Sequence, residues 1–356
     1  YKVRYFPNAE PDGTLGPGWM YISPEIKKSF SSSDLLCTTE DMIINLVSTR
    51  RSVSATKISF EIQGLSIDKG EERFKVSLNE TYNNQPFAAY YNKEKGTINL
   101  LGLFYSPDVK ALKDNGLGLF NHEISLSGEI LDEKYLFWTN EFRDFMKISD
   151  DGMALTEDQK GFLYFHKIIK HEDGSIVAVA EQYQKKIDGA GIALNIAAVA
   201  LGGGASASTT KIQIYDMVLF HFNPDFSIRN VEFIPKTKSN FTLPSGYDFT
   251  NVHLLAKYVK AFGGFDYLFS TQNETDGTTS IAYLDYEKRT EGPGKQWVFH
   301  AVTLYDDEFT KDKIEIGRPT DAKNIRILPG KPGNVVVLEY LKEEEAFNVY
   351  IEKINY

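Results

Sequence analysis

Cysteine is almost missing from this chain of 356 residues, since Cys37 is the only one. A single cysteine excludes an intrachain disulfide and, with it, the small disulfide-stapled scaffolds of secreted proteins. Free cysteine is among the most often buried residues, so Cys37 is interpreted as a small buried hydrophobe. A nucleophilic thiolate would need a nearby base, and none of the six histidines lies close to Cys37 in the sequence.

Positive charge is also scarce. The formal net charge is −10 and no run of Lys or Arg exceeds two residues, which excludes the basic stripe that a nucleic-acid surface needs. No apolar run reaches the length of about 18 residues that a transmembrane helix needs, so no membrane span is expected. The first residue is Tyr1 and not Met, which favours removal of a leader and predicts an exported protein that is periplasmic, on the outer surface or secreted.

Aromatic residues are abundant, at 13%, and they favour pleated, half-buried strands. Runs that alternate between apolar and polar residues recur in a fixed order, separated by turns that contain Gly, Pro or Asp. Each of five units begins with a hairpin, and its second strand is predicted at 42–50, 97–105, 175–183, 265–271 or 334–341. In the fourth unit the first strand of the hairpin is predicted at 253–259. A third run follows in every unit, and a fourth follows in the first four units.

Five such units predict an all-β chain that folds as a β-propeller of five blades, each with four antiparallel strands. Because the fifth unit lacks its fourth strand, we expect residues 1–6 to pair with the C-terminal blade and close the ring. The whole chain, 1–356, is then a single domain with about 71 residues per blade. Six blades, or two packed antiparallel sheets, are the alternatives that the pattern leaves open.

The most distinctive stretch is 161–233, above all the letters YDMVLFHFNPDF from Tyr215 to Phe226. Together with the Ala/Gly-rich insert that precedes it, this stretch resembles a group of uncharacterised exported proteins of Gram-negative bacteria with propeller-like repeats. The resemblance implies a propeller fold and export. It implies no site residue, because that group has no established activity.

The insert, 186–211, is nearly uncharged and contains neither Tyr nor Phe. Asp188 can cap a helix that Gly202 ends, and at 1.5 Å per residue about 12 residues span only about 18 Å, too little to cross a bilayer. The helix could be buried against one face or plug the ring, join two copies of the chain through 189–204, or insert at a lipid surface. The candidate partner-contact residues are Ile192, Ile196, Val199 and Leu201.

Motifs for catalysis, cofactor binding and metal binding are missing from the sequence. There is no Gly-x-Ser-x-Gly elbow, no phosphate-binding loop and no pair of histidines at metal-ligand spacing, so we expect no catalytic residue, no cofactor and no metal site. Acidic pairs such as Asp150–Asp151 and Asp306–Asp307, and the run 343–345, are interpreted as charged surface turns.

Two functions therefore remain open. The first is a non-catalytic binding or interaction scaffold for an unknown protein or glycan, with Trp19, Tyr21 and Trp297 as ligand-face candidates, because aromatic side chains bury a large area at little entropic cost. The alternative is a carbohydrate-active hydrolase that gathers carboxylates at the ring centre. Two or three carboxylates that converge in a pocket would favour the hydrolase.

Overall fold

Antiparallel strands make up most of the computed structural model. It describes residues 1–6, 18–24, 29–52, 55, 57–78, 81–107, 116–149, 153–156, 159–201, 209–243, 252–273, 277–288, 295–305, 308–314, 324–331 and 333–354. The chain divides into two compact units, residues 1–156 with 251–253 and residues 157–250 with 254–356.

The first unit consists of short antiparallel sheets. Its strands are β1 (Lys2–Tyr5), β2 (Trp19–Ile22), β3 (Phe30–Thr38), β4 (Met42–Arg50), β5 (Ser59–Ser66), β6 (Glu72–Ser77), β7 (Asn83–Asn92), β8 (Thr97–Tyr105), β9 (Gly118–Ser125), β10 (Ile130–Phe137), β11 (Lys147–Ile148) and β12 (Ala154–Leu155). β3 to β6 form one sheet and β7 to β10 another, and in both sheets each strand pairs with the next along the chain. β1 pairs with β2, and β11 pairs with β12.

The core of the first unit takes side chains from both four-stranded sheets, among them Ile44, Ile62, Leu100 and Phe104. The inner strand β4 is buried from Met42 to Val47 because it has a neighbour on each edge and cover on both faces. Gly96 ends the turn between β7 and β8 with φ +64, a conformation that L side chains adopt only at a cost.

The second unit contains larger sheets and both helices. Its elements are β13 (Lys160–Lys170), β14 (Ile176–Ile187), α1 (Gly189–Ala200), β15 (Thr210–Phe222), β16 (Ile228–Ile234), β17 (Ser239–Thr242), α2 (Val252–Ala261, in this unit from Leu254 onward), β18 (Tyr267–Gln272), β19 (Thr279–Lys288), β20 (Lys295–Tyr305), β21 (Glu308–Ile314), β22 (Asn324–Pro329), β23 (Asn334–Leu341) and β24 (Ala346–Lys353). From β13 to β16 each strand pairs with the next along the chain. β16 pairs with the C-terminal half of β15, and β17 pairs with the N-terminal half of β15. β18 to β21 form a four-stranded sheet, and β22 to β24 form a three-stranded sheet.

The all-β prediction is confirmed, and the described sheets follow the order of the five predicted units. Most of the hairpins and third strands that the alternation predicted are present, including β13, β14 and β15. Residues 1–6 are described through the pairing of β1 with β2, in which Val3 lies opposite Tyr21. The ring of five blades and its closure by the C-terminal sheet stay predictions.

The predicted strand at 253–259 is wrong, because these residues belong to α2. Leu255, Ala256 and Val259 are the buried side chains of this helix, and their spacing of one, three and four residues fits a helical stripe better than the alternation of a strand. The prediction also missed β19, a strand of ten residues that follows the predicted strand at 265–271. Neither described helix is long and apolar enough to span a membrane.

Candidate functional site

The hairpin of β1 and β2 provides one side of the candidate site. Tyr5 lies opposite Trp19 and Val3 opposite Tyr21, and the backbone N–H of Ser23 donates to the carbonyl of Tyr1 at 3.0 Å. Paired residues of an antiparallel ladder share a face. Tyr1, Val3, Tyr5, Trp19 and Tyr21 therefore lie together on the half-buried face of the hairpin, and the residues that alternate with them in β1 and β2 are exposed.

A buried amide joins the two phenols of this face to a carboxylate. The Tyr1 hydroxyl donates to Gln63 Oε1 at 2.9 Å, and Gln63 Nε2 donates to the Tyr21 hydroxyl at 3.0 Å and to Glu72 Oε2 at 2.6 Å. The Tyr21 hydroxyl also donates to Glu72 Oε2, at 2.9 Å. Gln63 is 0% exposed, so its side chain holds the network from within the sheet.

Both phenols remain hydrogen-bond donors at neutral pH. Burial raises the pKa of Tyr1, and the neighbouring Tyr21 raises it further. Burial is also the main reason that the pKa of Tyr21 is raised, and the hydrogen bond to Glu72 adds to it. A raised phenol pKa favours the neutral form, which keeps its proton.

The network borders a cleft of about 130 Å³. The cleft is lined by Tyr1, Tyr21, Ser23, Pro24, Ser31, Val47, Thr49, Glu72 and Lys75. Enclosed pockets for drug-sized ligands begin at about 300 Å³, so this cleft could hold one residue of a longer ligand that lies across the surface. Its walls combine aromatic faces, hydroxyl groups and one charge of each sign.

Trp19 has a different role from the one its sequence position suggested. Its indole N–H donates to the carbonyl of Ile67 at 2.6 Å, and its ring packs against Gly70, where an added Cβ would lie 2.4 Å from the ring. The Tyr5 ring is a further neighbour, with the ring centres 5.5 Å apart. Trp19 therefore positions the hairpin, whereas Tyr21 lines the cleft.

The third predicted ligand-face residue, Trp297, lies in β20 opposite Tyr286, and its side chain falls outside the described residues. The structure thus brings together two of the three predicted residues, Trp19 and Tyr21. Sequence reasoning missed Gln63 and Glu72. The signal that could have found Gln63 is its place in a run of otherwise buried residues, because a buried amide needs partners.

Carboxylates also converge in the second unit, around Lys236. Lys236 Nζ lies 3.3 Å from Glu181 Oε1 and donates to Asp266 Oδ2, which also accepts from the Ser239 hydroxyl at 2.7 Å. His166 Nε2 lies 3.0 Å from Glu181 Oε2, and the backbone N–H of Tyr267 donates to the same oxygen at 3.0 Å. The side chains of Glu181, His166 and Lys236 are 0% exposed.

The charges in this cluster compensate one another. Burial opposes the charge of Glu181, yet the Lys236 ammonium and His166 hold the pKa of that carboxyl below its usual range. Burial raises the pKa of Asp266 and lowers the pKa of His166, so the imidazole is neutral. Burial likewise opposes the charge of Lys236, but the two carboxylates raise its pKa. The cluster is therefore a buried network of opposite charges, and none of its ionisable groups is exposed to a substrate.

Two further acids fix the connector that carries Lys236. Asp216 Oδ1 accepts from the backbone N–H of Lys236 at 3.2 Å, and Asp285 Oδ1 accepts from the N–H of Thr237 at 2.9 Å. These hydrogen bonds fix the backbone of the connector at Lys236 and Thr237, and so they fix the start of the lysine side chain. The acidic pairs at Asp150–Asp151 and Asp306–Asp307 lie outside the described residues, and no metal-binding cluster occurs among the residues that the structure describes.

The helix α1 lies within the predicted segment 186–211, but it is not buried against a face or plugged into a ring. Only Gly191 is buried, and the four candidate contact residues are exposed, from 37% at Ile192 to 88% at Leu201. The interpretation of a buried helix is therefore wrong. Asp188 stands at the cap position without a side-chain capping hydrogen bond, because it turns toward Lys211, 3.9 Å away.

Comparisons with known proteins give a family and a number of remote matches among solved structures. The family described as "Family of unknown function (DUF6770)" matches residues 3–355. No curated protein matches the chain. A polysaccharide lyase of family PL25, an ulvan lyase, is similar over 90% of this chain at 12% identity and a TM-score of 0.40, and the chain spans 66%, just under two thirds, of that lyase.

The other two structures are more distant in shape. A levansucrase variant from B. megaterium matches 92% of this chain and 82% of its own at 11% identity, with a TM-score of 0.34. The WD40 domain of SCAP from fission yeast matches 93% of this chain and 91% of its own at 10% identity, with a TM-score of 0.23. At these TM-scores none of the structural matches bears on function.

Proposed function

We propose that this chain, which belongs to the family of unknown function DUF6770, is a non-catalytic carbohydrate-binding protein whose ligand lies in the cleft of Tyr1, Tyr21 and Glu72. The single observation that carries the proposal is the network in which buried Gln63 fixes two phenols and a carboxylate at the edge of an open cleft. A site that is held in place before the ligand arrives loses little entropy on binding.

The free hydrogen-bonding capacity of the cleft suits a polyhydroxylated ligand. A sugar hydroxyl donates one hydrogen bond and accepts others, so it can donate to Glu72 and accept from Lys75. The aromatic faces of Tyr1 and Tyr21 offer an apolar surface to the C–H side of a sugar ring. Hydrogen bonds to charged groups are the stronger ones, which makes Glu72 the expected source of orientation.

Substitution of Tyr21 tests the proposal. The purified chain is screened on a glycan array, and the affinity for the best oligosaccharide is then measured by calorimetry. Tyr21→Ala removes one ring face and the two hydrogen bonds of the hydroxyl to Gln63 and Glu72, so we expect affinity to fall about 10- to 100-fold, whereas Tyr21→Phe keeps the ring and loses less.

Tyr305→Ala is the matched control, since Tyr305 is an exposed tyrosine in the other unit. Thermal unfolding shows whether each variant is folded. An array without any binding, or an equal loss of affinity in Tyr21→Ala and Tyr305→Ala, contradicts the proposal.

The second candidate is a carbohydrate-active hydrolase, and the observation in its favour is the pair of carboxylates, Glu181 and Asp266, that share Lys236. Their burial speaks against it, because glycoside hydrolysis needs both carboxyl groups beside the scissile bond. Release of reducing sugar from oligosaccharides, abolished by Glu181→Gln and by Asp266→Asn in folded protein, would establish the hydrolase. No release by the wild type removes it.

Export to the periplasm, the outer surface or the medium is part of the same proposal. A glycan-binding role fits a protein that meets polysaccharide outside the cytoplasm. Fractionation of cells that express the full-length gene product tests it, and recovery of all the protein from the cytoplasm contradicts it.

A further inference from the structure

The helix α1 presents an apolar surface without charge. Its 12 residues contain no Asp, Glu, Lys or Arg, and its one strongly polar side chain, Asn195, is on the side nearer the protein. Leu194, Ile196 and Val199 are 63%, 66% and 59% exposed. Their positions on the helix point in different directions, so the exposed apolar surface extends around most of its circumference. An apolar surface of this kind marks a site of contact with a protein or a lipid.

Two lysines face each other at the base of the helix. In the hairpin of β14 and β15 that carries α1, Lys186 pairs with Lys211, and the next pair toward the helix is Ile187 with Thr210. Side chains that are directly opposite in an antiparallel pair share a face, and like charges there repel each other. Asp188 lies near Lys211 and leaves the sum of these three charges positive. The pair therefore suits an anionic partner that approaches from the helix side.

Two aromatic side chains, Phe241 and Phe262, lie near this pair of lysines. Phe241 of β17 pairs with Ile212, one residue beyond Lys211, and its ring stacks on Phe262 with the centres 6.5 Å apart. Phe262 is 53% exposed. Charged and aromatic residues around an apolar element are the arrangement that anchors proteins at the surface of a bilayer.

We propose that α1 inserts into one leaflet of an anionic lipid bilayer, with Lys186 and Lys211 at the level of the lipid phosphates. The helix is about 18 Å long at 1.5 Å per residue, which is too short to cross a hydrocarbon core of about 30 Å, so insertion is limited to one leaflet. Because the side of α1 that carries Gly191 and Asn195 faces the protein, the helix enters with its exposed side, which carries Leu194, Ile196 and Val199, and it lies along the surface, buried about 5–10 Å into the boundary between headgroups and acyl chains.

A second copy of the chain is the less suitable partner for this surface. A helix pair covers one side of each helix and would leave the opposite apolar side in water. It would also bring two Lys186–Lys211 pairs toward each other. The net charge of −10 does not prevent contact with an anionic membrane, because charges farther than about 10 Å from the surface are screened at moderate salt.

The test is flotation of the full chain with vesicles of phosphatidylcholine alone or mixed with phosphatidylglycerol. We expect binding to the mixed vesicles and at least tenfold less to phosphatidylcholine. Ile196→Ser with Val199→Ser should abolish binding to both. Lys186→Gln with Lys211→Gln should weaken binding to the anionic vesicles about fivefold per lysine, while binding to phosphatidylcholine stays unchanged.

Val349→Ser with Ile351→Ser is the matched control, because it changes two exposed apolar residues of β24 and leaves α1 intact. Thermal unfolding verifies that every variant folds. The proposal is overturned if the wild type binds neither kind of vesicle or if the control pair reduces binding as much as the α1 pair. It is also overturned if light scattering shows a dimer that the α1 substitutions dissociate and vesicles do not.

Discussion

Lys236, whose side chain has no access to water, holds together the buried charges of the second unit. Lys236 pairs with both Glu181 and Asp266, and its connector is held by Asp216 and Asp285. Charges taken out of water are tolerated only when they are paired and hydrogen-bonded. Loss of the cation would leave the two carboxylates without compensation.

We therefore expect Lys236→Met to lower the free energy of unfolding by about 3 to 5 kcal/mol, measured by chemical denaturation. Lys93→Met is the matched control, because Lys93 pairs with Glu40 at 2.8 Å on the surface, where water screens the pair. Its free energy of unfolding should equal that of the wild type within error. Equal stability of Lys236→Met and Lys93→Met would show that the buried charges relax without the lysine.

The sequence alone did not predict this cluster, for a physical reason. Glu181, Lys236 and Asp266 are far apart in the chain, and each occurs in a polar or mixed context that also fits a surface. Strand pairing places β14, which carries Glu181, and β16, which Lys236 follows, in one sheet on either side of β15. Asp266 precedes β18 of another sheet, so packing between two sheets brings it to the lysine. For the cleft, Tyr21 was predicted because an aromatic side chain buries a large area at little entropic cost, whereas nothing in the local sequence sets its partners Gln63 and Glu72 apart from other polar residues.

At the scale of elements, the position of the β1–β2 hairpin depends on one glycine. Gly70 has φ +69, and an added Cβ would lie 2.4 Å from the Trp19 ring. Gly96 has a similar φ, +64, with no atom near its added Cβ. The two glycines share the backbone cost and differ only in the contact with Trp19.

We expect Gly96→Ala to cost about 1 to 2 kcal/mol of stability from backbone strain, and Gly70→Ala to cost more because Trp19 must move. Since Trp19 positions the hairpin that carries Tyr21, Gly70→Ala should also weaken oligosaccharide binding, and Gly96→Ala should not. Chemical denaturation and calorimetry measure both effects. Unchanged affinity in Gly70→Ala would show that the cleft does not depend on the position of the hairpin.

The sequence predicted most strands correctly but was less successful for the two helices. Alternation of apolar and polar residues located β13 and β15, which bury one face more than the other over part of their length. The inner strand β14 was located by its apolar run instead, since it is buried without a break from Ile176 to Tyr183. The same rule failed at 253–259, where a short apolar run fits a strand or a helix and packing of Leu255 and Val259 selects α2. For α1 the helix was predicted, but its exposure was not, since local sequence does not say what covers an apolar element.

On the scale of the whole molecule, five sheets of three or more strands follow the two-stranded sheet of β1 and β2 in the part of the chain that the structure describes, and the last of them has three strands. This order is the one that repetition in the sequence predicted. The number of blades and the closure by residues 1–6 stay predictions, because closure joins the two ends of the chain and the alternation of each strand says nothing about its distant neighbour. The proposed function of the whole chain is defined by the ligand that binds in the cleft of Tyr1, Tyr21 and Glu72.

The most direct measurement of the central claim is a crystal structure of the chain with the oligosaccharide that binds best on the array. We expect a sugar ring against Tyr21 with one of its hydroxyl groups within hydrogen-bond distance of a Glu72 oxygen. A sugar bound at any other place on the chain, with the cleft of Tyr1, Tyr21 and Glu72 holding only water, would contradict it.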